Sequence, residues 1–230
     1  MSRREYSQPC SLACALDRIG ERWSLLVVRE LLLGPLRFSD LARAVGGAPT
    51  DVLTRRLRDL ERDGIVARRE LEPPASASVY ELTDLGRGLE RPLIELGRWG
   101  LNFQQVSDVA GLLPSSLPNA LRVVLRPPPQ ASLTVGLHSE GQAFRLRIED
   151  GWIDAARGEA DAADVTLSGP PGDVIAALVG GEVAAGGAEI EGDRGALEEL
   201  RAMIAIPDRL RADALSAAGD AAPVATARRA

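Results

Sequence analysis

The residues with the most chemical potential lie between Arg37 and Glu70, in RFSDLARAVGGAPTDVLTRRLRDLERDGIVARRE. Leu53, Leu57 and Leu60 fall on one helical stripe at i, i+4 and i+7. At about 100° per residue, Asp51, Thr54, Arg55, Arg58 and Arg62 then lie mostly on the opposite face. Arginine presents a planar fork of donors that matches the two major-groove acceptors of guanine, and threonine offers a hydroxyl for phosphate and a methyl for thymine. A short helix with such a face, set behind a tight turn, suits the DNA major groove. The candidate contacts are Thr50, Asp51, Thr54, Arg55 and Arg58, with Arg37 ahead of the preceding helix and Arg69 on the strand that follows. Thr50 and Thr54 serve either as DNA contacts or as local caps and packing residues. Arg56 sits at the edge of the apolar stripe and is equally suited to an acidic neighbour. Arg68 and Arg69 alternate on one strand, so only one of them can face phosphates.

Elsewhere the chemistry is sparse. His138 is the only histidine, and no serine, cysteine or carboxylate pattern around it marks a catalytic base, so it reads as a surface strand residue. Glu149-Asp150 and Glu198-Glu199 read as solvated charge in a turn and on a helix face. Gly180-Gly181 and Gly186-Gly187 lack the Lys and Ser/Thr of a phosphate-binding loop. Cys10 and Cys14 are too few for a disulfide framework or a four-ligand zinc site. Nothing here supports an enzyme, a metal site or a cofactor.

The elements that must position the arginine face follow from period and punctuation. Ser11 to Ile19 reads as a helix ended by Gly20, and Trp23 to Leu33 as a strongly apolar helix closed by Gly34-Pro35. Ser39 stands at the N-cap or first turn of a third helix, which Gly46, Gly47 and Pro49 stop before the fourth begins. Ile65–Leu71 and Val79–Leu82 read as paired strands around a loop of Glu72, two prolines, alanines and serines. Thr83-Asp84 caps a further helix whose apolar residues are Leu85, Leu89, Pro92, Leu93, Leu96 and Trp99. That stripe has no partner left within so small a domain, so a two-fold dimer interface is the economical expectation.

The chain has 230 residues, room for two domains. The formal net charge of −6 conceals a division. Residues 1–105 hold 16 Arg against 15 Asp and Glu, a net of +1, and the remainder carries −7. The overall acidity therefore does not argue against nucleic acid, because the local footprint matters. With no apolar run near 18 residues and no basic-then-apolar start, the sequence reads as soluble and cytoplasmic, without membrane insertion.

Beyond residue 105 the period changes. Residues 106–118 read as a linker and Asn119 to Leu125 as a short helix. Leu133, Val135 and Leu137 alternate with small or polar neighbours, as do Phe144, Leu146 and Ile148, with Ser139-Glu140-Gly141-Gln142 as a hairpin turn. Glu149-Asp150-Gly151 makes a second turn before a strand from Trp152, and Asp164–Ser168 makes a fourth strand. A helix over Asp173–Val179, a strand at Ala188–Glu191 and a helix from Asp193 to Ile204 complete residues 119–206, and 207–230 is an Ala-rich tail with few anchors.

Residues 10–100 resemble the HxlR-type winged helix-turn-helix transcription regulators. The matching pieces are Cys10, Ile19-Gly20, Arg22-Trp23, Leu31 to Leu41 (LLLGPLRFSDL), Leu53 to Glu61 (LTRRLRDLE), Gly64-Ile65-Val66, Pro73-Pro74, Tyr80-Glu81-Leu82-Thr83 and Gly86. The wing segment between Pro74 and Tyr80 is longer than usual in that family and lacks a basic tip. Residues 119–206 resemble the sterol-carrier-protein-like domain, through Ala163 to Gly169 (ADVTLSG), Val174-Ile175, Leu178, Gly180-Gly181, Ala188 to Asp193 (AEIEGD), Leu197 and Leu200. Together these imply an α+β protein, with a winged helix-turn-helix domain over 1–105 and a small mixed α/β domain over 119–206.

The first resemblance implies a homodimer, joined through the first helix and the helix near residues 83–105, on double-stranded DNA with a pseudo-palindromic operator. The second implies a fold able to hold an apolar small ligand, with Leu133, Val135, Phe144, Leu146, Ile148, Val165, Leu167, Ile175 and Leu178 as its candidate lining. Cys10 stands where some members of the first family carry a sensing thiol; otherwise it is a small residue at the dimer seam. Cys14, one turn on, is expected in the core. A different reading makes the chain a lipid or small-molecule carrier whose winged helix only dimerises.

Overall fold

The computed structural model describes residues 6–72, 77–105, 111–179 and 187–210. Among these, the chain divides into two compact units, Met1–Leu96 and Gly97–Ala230.

The first unit runs α1 (Ser11–Ile19), α2 (Ser24–Leu31), β1 (Leu36–Arg37), α3 (Phe38–Val45), α4 (Thr50–Arg62), β2 (Val66–Glu70), β3 (Ser78–Leu82), α5 (Asp84–Arg87) and α6 (Glu90–Gly100). Its core is the apolar face of α4, where Leu53, Leu57 and Leu60 are buried together with Val27, Val28 and Leu31 of α2 and Leu41 and Val45 of α3. The end of α4 is set by Gly64, at φ +71°. Its N–H bonds the Glu61 carbonyl while the Ile65 N–H reaches back to Leu60 at 2.9 Å. That pair of bonds is the Schellman termination, which satisfies the last carbonyls and turns the chain into the strand.

Two details depart from the sequence reading. Leu36–Arg37 forms a two-residue strand against Val79 and Tyr80, so the hairpin is a three-stranded sheet in the order β1-β3-β2. The helix after Thr83 breaks into α5 and α6, and Leu89 and Leu93 pack on the core instead of facing outwards. Leu85 (66% exposed), Leu96 (48%) and Trp99 (62%) are what remains of the open stripe.

The second unit contains α7 (Ser116–Val124), β4 (Leu133–Ser139), β5 (Gln142–Glu149), β6 (Trp152–Arg157), β7 (Val165–Ser168), α8 (Pro171–Leu178), β8 (Glu189–Gly192) and α9 (Arg194–Ala202). The strands make one mixed sheet in the order β6-β5-β4-β7-β8, with β4 and β7 parallel. Both hairpins turn through two residues of positive φ, Glu140-Gly141 at 48° and 75° and Asp150-Gly151 at 51° and 74°. This left-handed pair matches the twist of the strands it joins. Residues facing one side of the sheet, among them Val135, Leu137, Phe144, Leu146, Ile148 and Leu167, are fully buried.

The division between units falls inside α6 and not at residue 105, because the end of that helix is held by the second unit. The Arg98 guanidinium donates to the Val123 carbonyl at 3.3 Å. Arg209 donates to the carbonyls of Leu101 and Gln104. Gly97 has no room for a side chain, since a Cβ there would lie 2.7 Å from Val123 Cγ2. Residues 106–110 of the expected linker and 211–230 of the expected tail lie outside the described residues. Among the described residues, no helix is long and apolar enough to cross a membrane.

In the first unit, Gly86 is the tightest joint. Thr83 Oγ1 accepts its N–H at 3.1 Å and donates to the Gly64 carbonyl at 2.6 Å. A Cβ on Gly86 would come within 2.1 Å of the Ile65 carbonyl oxygen, which is backbone and cannot swing away. Gly86→Ala is expected to cost about 1–3 kcal/mol, read as a lower midpoint in urea unfolding with an unchanged slope.

Candidate nucleic-acid interface

The arginine helix is presented by a turn that only glycine makes cheaply. Gly46 and Gly47 take φ of 66° and 75°, and Pro49 then stands at the N-cap of α4 with its carbonyl accepting from Leu53 at 2.9 Å. Because the Leu53-Leu57-Leu60 stripe is buried, Asp51, Arg55 and Arg58 are exposed on the other side, with Thr50 at the open end. Thr54 is half-buried and its hydroxyl donates to the Thr50 carbonyl at 2.7 Å. The hydroxyl is therefore engaged within the helix, and the methyl group is the part left for a partner.

Ion pairing sorts the arginines. Arg56 is buried, with Asp59 at 3.2 Å and Glu21 at 3.8 Å. Arg62 lies between Asp59 at 3.1 Å and Asp63 at 3.4 Å. Arg55 and Arg58 form no ion pair with any described residue. Their two guanidinium groups, one helical turn apart, are the uncompensated positive charge of this face.

On the hairpin, both arginines have partners within the chain. Arg69 donates two bonds to the Glu81 carboxylate across the strand pair, each 3.1 Å, and this hydrogen bonding, then the negative charge of Glu81, holds its pKa above the ordinary value. Arg68 is held by Ser78 and by Glu70 at 3.4 Å. Both are thus engaged with neighbours on the hairpin: Val79 and Tyr80 stand opposite Arg69 and Arg68, and Glu81 and Ser78 lie two residues along β3 from those, on the same faces. Arg37 is exposed and stands in β1, opposite Val79. The wing segment 73–76, read as uncharged, lies outside the described residues.

Cys10 is the N-cap of α1 and is exposed. Its thiol is held below the ordinary pKa by the Ala13 N–H, and secondarily by the Leu12 N–H, which stabilise the thiolate. Cys14 is exposed, contrary to the expected core position, because Ala13 is the one fully buried residue of α1 and Cys14 points away from the side on which Ala13 and the half-buried Ile19 lie.

In the second unit, Leu133, Val135, Phe144, Leu146, Ile148, Val165, Leu167 and Leu178 are each buried, and Ile175 is half-buried. His138 is half-exposed on β4 with its Nε2 at 2.8 Å from Glu159 Oε2. Among the described residues no cluster of His, Cys, Asp or Glu could hold a metal ion. Two buried charges escaped the sequence reading: Glu30 in α2, paired with Arg29 at 2.8 Å, and Arg122 in α7, whose guanidinium donates to the Ala155 carbonyl at 3.0 Å.

Three helices, an exposed arginine helix behind a glycine turn, and a hairpin define a winged helix-turn-helix module. Residues 18–108 match the family described as HxlR-like helix-turn-helix, and the chain belongs to that family. An HTH-type transcriptional regulator of Synechocystis is 37% identical over 112 residues, covering 48% of this chain and 82% of the relative. One from Mycobacterium tuberculosis is 39% identical over 90 residues, covering 39% of this chain. The match spans 56% of that mycobacterial protein's length. Among solved structures, the reduced form of the regulator YodB from Bacillus subtilis aligns at 29% identity and a TM-score of 0.38, over 42% of this chain and 95% of that one.

The Cys10 environment has a direct consequence for reactivity. Iodoacetamide labelling of Cys10, followed site by site by mass spectrometry, is expected to reach half its plateau rate at a lower pH than for an unstructured cysteine peptide. The thiolate persists as the pH falls because its pKa is depressed. A midpoint equal to that of the peptide would remove the basis for assigning it a special role.

Proposed function

We propose that the protein binds a pseudo-palindromic DNA operator as a homodimer, each protomer laying α4 in one major groove. The observation that carries this reading is the exposed pair Arg55 and Arg58 on a helix whose opposite face is locked in the core. Arg58 and Arg55 supply base or phosphate contacts, the Thr54 methyl suits a thymine, and Thr50, Asp51 and Arg37 flank them. Arg69 contributes only if DNA displaces Glu81. The dimer is joined through α1 and α6, whose exposed Leu12, Leu16, Leu96 and Trp99 are large apolar side chains that a monomer leaves in water.

The second unit is proposed as a sensor of an apolar small ligand, on the resemblance to the sterol-carrier-protein-like domain and on its single apolar sheet face. A ligand that favours one arrangement of α6 over another changes the separation of the two α4 helices, and operator affinity with it. The contacts of Arg98 and Arg209 with neighbouring backbone carbonyls hold the end of α6 in that unit. A second route of control rests on the depressed pKa and exposure of Cys10, which suit reaction with electrophiles or oxidants.

Titration on the protein's own upstream DNA at several salt concentrations tests the reading. Arg55→Ala or Arg58→Ala is expected to weaken specific binding by about 1–3 kcal/mol where the side chain reads a base. Where it contacts phosphate, the salt slope falls by about one. If both variants bind with the affinity and salt slope of the unaltered protein, α4 is not the reading element.

A further inference from the structure

The five-stranded sheet has two unlike faces. One is the buried core; the other carries Thr134, Gly136, His138, Thr166 and Ser168 along its centre, four small residues and a histidine that binds Glu159. Gly136 is buried, and a Cβ there would lie 2.9 Å from Thr166 Oγ1. Arg145 and Arg147 project from β5, exposed and without an ion-pair partner among the described residues; Asp154 of β6 stands opposite Arg147, whereas Arg145 has only Ala156 opposite it there, and Glu189 and Glu191 project from β8 on the other side, also exposed. The register strings one row across the sheet, Arg145 opposite Gly136, Gly136 opposite Thr166, Thr166 opposite Glu191.

We infer that this outer face is a contact between two copies of the chain. Arg145 and Glu191 lie at the two ends of a row spanning three strand spacings, roughly 14 Å. A two-fold axis parallel to the strands, midway between β4 and β7, carries β5 of one copy over β8 of the other and preserves height along the strands. Arg145 of one protomer then faces the partner's Glu191, and the symmetry repeats the pair at the opposite end. An axis perpendicular to the strands would set β5 against β5 and bring arginine to arginine. The small residues at the centre let the two faces approach to the usual sheet separation of about 10 Å. Four strands make a contact well below the roughly 800 Å² per partner of a free-standing interface. It therefore rests on the dimer proposed above, whose tether raises the local concentration to about millimolar.

The test uses the full chain with Cys10→Ser and Cys14→Ser, so that an introduced Thr166→Cys is the only thiol. Thr166 flanks the axis, and a short bismaleimide spans a gap too wide for a disulfide. Covalent dimer is expected in good yield, falling about tenfold or more with Arg145→Glu or with Glu191→Arg. It is expected to return when both reversals are present in one chain. Ser168→Cys repeats the measurement should Thr166→Cys fail to fold. Absence of covalent dimer from both cysteine variants, or a double reversal that does not restore it, overturns the inference, as it would if the face served a different partner. Sedimentation of the unaltered chain separates the two readings: a monomer defeats the dimer itself, whereas a dimer that does not cross-link defeats only the sheet contact.

Discussion

Burial of Leu53, Leu57 and Leu60 is the constraint on which the first unit depends. These three side chains are 0–1% exposed, and truncating such a residue typically costs ~2–5 kcal/mol. Helical rotation then leaves no choice for the remainder of α4. Residues two positions from the stripe must face water, so Arg55 and Arg58 are presented outward by the same packing that stabilises the fold. The glycine turn before the helix and the Schellman bonds after it fix its two ends, so the arginines are held on a rigid support.

Acidic partners then divide the arginines between structure and availability. Arg56 and Arg62 are drawn to Asp59, and Arg69 to Glu81, each neutralised by a carboxylate that the fold brings alongside. A side chain so engaged exchanges one partner for another when it meets DNA, whereas Arg55 and Arg58 lose only water. This is why a basic sequence run is a poor guide to a binding surface by itself. The same distinction applies to the outer face of the second sheet, where Arg145 and Arg147 are exposed and form no ion pair among the described residues.

The join between units is unusual in lying within one helix. The front of α6 follows the capped α5 turn, while its end is tied to α7 and to Arg209 through backbone carbonyls.

Much of the architecture was legible in the residues alone, for local reasons. The helix over Ser11–Ile19, the ends of α3 and α4, and both hairpins were readable because glycine, proline and apolar period act within a few residues. The two faces of α4 were readable because rotation per residue is constant. What tertiary structure alone decided involves partners distant in sequence: β1 pairs with a strand more than 40 residues later, and β4 lies parallel to β7. Likewise Arg69 is engaged by Glu81, 12 residues on, and Arg18 reaches Asp63 across 45. Cys14 was misplaced because α1 buries a single position, which its own period does not reveal. The residue types set what each element could do, and the contacts between elements, which no local pattern encodes, selected the side chains left to do it.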